Sequence, residues 1–124
     1  MAGNNPRTIN ALRGKRLYKI GSCGTWLYGG FIAAIGDGSG LGSSVVSISY
    51  RLMGTAGNVS YSRTGTSTLG ISIYKKVENN ILGVYLYSSI GNDSFNPICG
   101  LSSSNIELLG EVTDLSSYEL VASL

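Results

Sequence analysis

The sequence predicts an all-β fold, an antiparallel β-sandwich of jelly-roll-like form with about eight to ten short strands. Three observations lead there. SVVSISYRLM sets Val46, Ile48, Tyr50 and Leu52 at period two against Ser47, Ser49 and Arg51, the pattern of a half-buried strand. Gly, Ser, Thr and Asn fill positions where helices favour Ala, Leu, Glu and Lys, and only 13% of the 124 residues are charged, about half the usual share. Turn-forming clusters recur about every 8–12 residues.

Taken in order, residues 1–14 (MAGNNPRTINALRG) are polar and basic and contain Pro6. They read as an arm or linker, with room for one helical turn around Asn10–Arg13, ahead of a single domain over residues 15–124. RLYKIGS alternates as a half-buried strand. The next stretch, GSCGTWLYGGFIAAIG, has no charged residue, yet it is no membrane span. It is shorter than the about 20 apolar residues a spanning helix needs, and its glycines each cost about 1 kcal/mol against alanine in a helix. It also begins too far into the chain for a secretory signal core. Trp26, Tyr28, Phe31, Ile32 and Ile35 favour strand, so the expectation is two strands, or one strand with a bulge or bend at Gly29–Gly30. GDGSGLGSS reads as a flexible loop.

After the strand at SVVSISYRLM, GTAGN marks a turn and VSYSR alternates Val59 with Tyr61. LGISIYKKV places Leu69, Ile71, Ile73 and Lys75 on one face. Glu78-Asn79-Asn80 has the chemistry of a hairpin turn, since Asn tolerates positive φ. ILGVYLYSSI puts Leu82, Val84 and Leu86 on one face and Tyr85 and Tyr87 on the other. Gly91-Asn92-Asp93 turns the chain again. FNPICGL reads as an edge strand because of Pro97. NIELLGEV and SYELVASL complete the series.

Charge is small in sum and uneven along the chain. The net +2 is too small to imply nucleic acid. Arg7, Arg13, Lys15, Arg16 and Lys19 stand near the start without an acid, and Glu107, Glu111, Asp114 and Glu119 near the end without a base. Either the two ends attract each other within or between subunits, or they are two solvated termini. Cys23 and Cys99 are too few for a disulfide framework; free buried thiols are the default, and a pair is the alternative.

The chain has no histidine, which removes the commonest general base, the Ser-His-Asp and Cys-His arrangements and most zinc sites. Glycoside hydrolysis needs two carboxyls about 5–9.5 Å apart, and nothing in the spacing of the acids brings two together. The Gly-rich loop lacks the lysine and following helix of a phosphate-binding loop, and Asp37 alone does not make a calcium site. The expectation is a protein that is not an enzyme and takes no cofactor or metal.

Tyrosine is the remaining signal, with eight against two Phe and one Trp. Each of Trp26, Tyr28, Tyr50, Tyr61, Tyr85 and Tyr87 taken singly reads as sheet packing. As a set, beside turns rich in Asn and Ser, they favour a recognition surface, because an aromatic face stacks on a sugar ring while amides and carboxylates bond its hydroxyls. The candidate ligand-binding residues are Trp26, Tyr28, Asn58, Tyr61, Asn79, Asn92 and Asp93.

The run RLYKIGSCGTWLYGGFIAAIGDGSG, then SVVSISYRLMG, then ILGVYLYSSIGNDSFNPICG, behind a basic lead-in, resembles the C-terminal tip domain of bacteriophage tail fibres. In such tips an opening strand precedes an apolar strand and a glycine loop, then a meander ending in a short strand. The resemblance covers residues 15–124 and is one of pattern and composition, so no functional residue is carried over. It implies a homotrimer of β-sandwiches on a virion tail, made in the bacterial host cytoplasm, that binds a host-surface glycan or protein. It also implies that the strand with Trp26, Leu27, Tyr28, Phe31 and Ile32 is buried once by its own domain and once by a neighbour. The alternatives are a small structural virion protein that docks on other virion proteins through residues 1–16, and a lectin-like β-sandwich unrelated to viruses.

Overall fold

A computed structural model of the chain describes residues 7–9, 16–22, 26–36, 43–65, 71–88, 98–102, 106–112 and 114–124. They form ten strands: β1 (Arg7–Ile9), β2 (Arg16–Ser22), β3 (Trp26–Gly36), β4 (Ser43–Met53), β5 (Ala56–Gly65), β6 (Ile71–Glu78), β7 (Ile81–Ser88), β8 (Ile98–Ser102), β9 (Glu107–Glu111) and β10 (Glu119–Ser123). Two five-stranded antiparallel sheets result, sheet A in the order β1-β8-β3-β4-β5 and sheet B in the order β10-β6-β7-β2-β9. The architecture is the predicted β-sandwich. Among the described residues no helix is long and apolar enough to cross a membrane.

Period-two patterning builds the core. Val46, Ile48, Tyr50 and Leu52 of β4 and Phe31 of β3 are buried against Ile71, Ile73, Leu82, Val84 and Leu86 of β6 and β7, with Tyr18 and Ile20 of β2. Tyr50 rivets the two sheets. A bulge shifts the β2–β7 register between Lys19 and Gly21, and the Tyr50 hydroxyl donates across the sandwich to the Ile20 carbonyl at 3.1 Å. Both buried polar groups are thereby satisfied. Gly21 makes the room, since a Cβ there would stand 2.5 Å from the Tyr50 ring.

Four sequence expectations change. β3 is one strand with unbroken pairing to β4 from Trp26 opposite Met53 to Gly36 opposite Ser43, so there is no bulge at Gly29–Gly30. A Cβ on Gly30 would lie 3.1 Å from the Ile48 carbonyl oxygen; glycine here permits close strand approach, not a bend. β8 is interior, between β1 and β3, and its bounds are Ile98–Ser102, so the strand does not include Pro97. Arg7–Ile9, in the stretch read as an arm, pairs with β8 as the edge of sheet A. The glycine loop is shorter than read, with Gly36 ending β3 and Ser43 opening β4. Residues 10–13, 37–42 and 91–93 lie outside the described residues, and so does Cys23. The Asn79-Asn80 turn forms as expected, both residues at positive φ (54° and 63°).

The oppositely charged ends meet within the chain. Antiparallel pairing of β2 with β9 sets Arg16 opposite Glu111 and Lys19 opposite Glu107.

Gly21→Ala is expected to destabilise the fold by about 1–3 kcal/mol through overpacking against Tyr50. Tyr50→Phe, which removes the inter-sheet hydrogen bond, is expected to cost about 1 kcal/mol. Urea unfolding midpoints measure both, and an unchanged midpoint for Gly21→Ala would contradict the rivet.

Candidate functional site

The two outer faces differ. In sheet B, β9 and β10 are opposite edges, and described residues between them lie against the outer face. Val112 and residues 114–118 form this strap. The Tyr87 hydroxyl donates to the Val112 carbonyl at 3.3 Å. The Tyr118 ring meets Tyr85 edge-on at 5.0 Å between centroids and Tyr74 at 6.3 Å, with the Lys76 ammonium 4.6 Å from the Tyr118 centroid. Asp114 accepts the Ser116 backbone N–H at 2.9 Å, a bond that holds its carboxyl below the ordinary value, and the Tyr118 N–H donates to the Leu115 carbonyl. Leu17 and Tyr85 are fully buried yet stand apart from the inner core cluster. Tyr85 is 1% exposed, and burial first, then the neighbouring Tyr118, Glu78 and Glu107, pushes its phenol up to about 12.

Sheet A has no such cover among the described residues. Its outer face is a grid of register rows across β3, β4 and β5: Tyr28–Arg51–Asn58, then Gly30–Ser49–Ser60, then Ile32–Ser47–Ser62, then Ala34–Val45–Thr64. Tyr28 (59% exposed), Ile32 (55%), Val45 (45%) and Met53 (51%) stand in the open. The Arg51 guanidinium carbon lies 5.2 Å from the Tyr28 ring centroid, a cation–π contact. Ser47 and Ser62 hydroxyls meet at 2.7 Å in the row beyond. The small-residue row separates an aromatic and polar end, near the β4–β5 turn, from an apolar end around Ile32 and Val45.

Of the residues the sequence nominated, Tyr28 and Asn58 come together in one row, on either side of Arg51. Trp26 is described through its backbone, opposite Met53 at the same end. Asn79 sits in the β6–β7 turn; that end of the molecule is tied together by the Leu82 N–H donating to the Gly54 carbonyl at 2.8 Å. Tyr61 is exposed but pairs with Ile48, an inward position, so it lies on the other side of edge strand β5 from Asn58. Asn92 and Asp93 lie outside the described residues. Tyr50, Tyr85 and Tyr87 are structural: one rivets the sheets and two lie under the strap. Arg51 was missed; its outward place in SVVSISYRLM was legible, its neighbours were not.

No protein-family model, curated protein or solved structure matches the chain.

Because the Tyr85 pKa lies above its ordinary 10.0, this group contributes stability in full below pH 10.0 that is lost as pH rises through about 12. Tyr118→Ala is expected to lower the Tyr85 titration toward 10.0, read by ultraviolet absorbance in an alkaline titration. An unmoved titration would mean that the strap does not cover this residue.

Proposed function

We propose that the chain is a non-enzymatic binding module: the receptor-binding tip of a bacteriophage tail fibre, assembled as a homotrimer on the virion, that attaches to a host-surface glycan. One observation carries the reading. Val112 and residues 114–118 lie against the outer face of sheet B, while among the described residues nothing covers the outer face of sheet A, which has exposed apolar side chains at one end and an aromatic, polar row at the other. Exposed apolar groups collected on one face mark an interaction surface. Around a threefold axis, the Ile32–Val45 end of each copy meets its neighbours, and the Tyr28–Arg51–Asn58 row remains for the receptor. Three weak glycan contacts on one rigid body gain avidity through effective concentration. The sequence resemblance and the sandwich architecture agree with this reading. A structural protein docking through residues 1–16 is less well supported, because Arg7–Ile9 and Arg16 of that segment are built into the sandwich.

Ile32→Asp with Val45→Asp is expected to convert a three-chain species into single chains with unchanged far-ultraviolet circular dichroism, measured by light scattering on a size-exclusion column. Tyr28→Ala is expected to keep the three-chain mass and lose the ability to block phage adsorption to host cells. A wild-type chain that stays monomeric at every concentration, or a Tyr28→Ala chain that blocks as well as wild type, would overturn the corresponding half of the proposal.

A further inference from the structure

Charge is segregated between the two sheets. The strands of sheet A contain three charged residues, Arg7, Arg51 and Arg63, and no carboxylate. The strand acids Glu78, Glu107, Glu111 and Glu119 all belong to sheet B, where lysines and an arginine accompany them, and Asp114 lies in the strap. Lys75 pairs with Glu119 at 3.2 Å and Lys76 with Glu78 at 3.5 Å. Arg51 sits on β4, between β3 and β5, and neither β3, β5 nor β8 offers it an acid. Its contact is the ring of Tyr28, which stays 59% exposed with the guanidinium over it.

Resting on the reading that this face meets a glycan, we infer that the Tyr28–Arg51–Asn58 row binds an acidic sugar, one that carries a carboxylate, with Arg51 as the group that reads the charge. The cation–π contact holds the guanidinium beside the exposed Tyr28 ring, and the planar N–H fork of arginine is the part that matches a carboxylate. The row spans two strand spacings, about 10 Å, the scale of one sugar ring with its substituents. Tyr28 and the adjacent exposed Met53 give apolar surface for the ring's C–H face, and the Asn58 amide supplies a donor and an acceptor for neighbouring hydroxyls. Gly30, Ser49 and Ser60 keep the next row low, so the shelf is open to one side.

The test uses the full chain, immobilised, against a panel of acidic bacterial polysaccharides. Each is presented beside its carboxyl-reduced form, with neutral polysaccharides, an acidic peptide and duplex DNA as further probes. The expected result is binding to acidic polymers that falls about tenfold or more on carboxyl reduction and equally with Arg51→Gln, the scale of one charge-assisted hydrogen bond. Arg51→Lys is expected to recover part of it, and light scattering should show the same mass for both variants. Binding that is confined to neutral polymers, or indifferent to carboxyl reduction and to Arg51→Gln, would overturn the acidic-sugar inference and leave the glycan reading standing. Equal binding to the peptide or DNA would make the face a general anion surface and overturn the inference. No binding to any polysaccharide would remove the glycan reading together with it.

Discussion

The crossing of sheet B by its own chain decides which part of this molecule is available to others. β9 and β10 flank the sheet, and of the residues that join them Val112 and 114–118 lie against its outer face, with the Tyr118 ring on Tyr74 and Tyr85. The consequence is a strand buried on both sides, β7: Leu82, Val84 and Leu86 point into the sandwich, while Tyr85 lies beneath Tyr118 and its ring packs over Gly83. A Cβ on Gly83 would come within 2.8 Å of the Tyr85 hydroxyl, so the ring lies flat only because that position is glycine. With the middle of one outer face covered in this way, the outer face of sheet A is the more open of the two among the described residues.

Sheet A is suited to that part by how little rises from it. β3 and β4 pair without interruption over eleven residues, and β4 and β5 continue the ladder, so the face is a regular grid. Glycines and serines along it keep most positions low, and the few larger side chains are grouped at the two ends. The Tyr50 rivet and the β2 bulge hold this grid against sheet B from behind. The row proposed to meet a receptor stands on strands and inherits that rigidity, which lowers the ordering cost of binding.

Much of the fold was legible because the signals were local. Alternation in SVVSISYRLM and ILGVYLYS assigned the inner faces of β4 and β7, and the Asn pair at 79–80 assigned its turn. The basic start and acidic end left an attraction and two solvated termini both open, and the β2–β9 register sets Lys19 opposite Glu107. What was not legible depended on strand order. Nothing in the sequence places β8 between β1 and β3, so Pro97 suggested an edge. The tyrosines show the same limit for the site. Tyr28 and Tyr85 look alike in sequence; one is open on sheet A and the other is covered by Tyr118, from the segment between β9 and β10. Arg51 gained its significance from the absence of acids on strands distant in sequence.

Hydroxyl-radical footprinting of the full chain, compared between dilute and concentrated solution, addresses this asymmetry directly. The account predicts that concentration protects Ile32 and Val45 while Val77, Leu109 and Leu120, the exposed apolar groups of sheet B, keep their labelling. Protection of Leu109 and Leu120 with Ile32 and Val45 still freely labelled would contradict it, and would place the contact between copies on the edges of the strapped sheet.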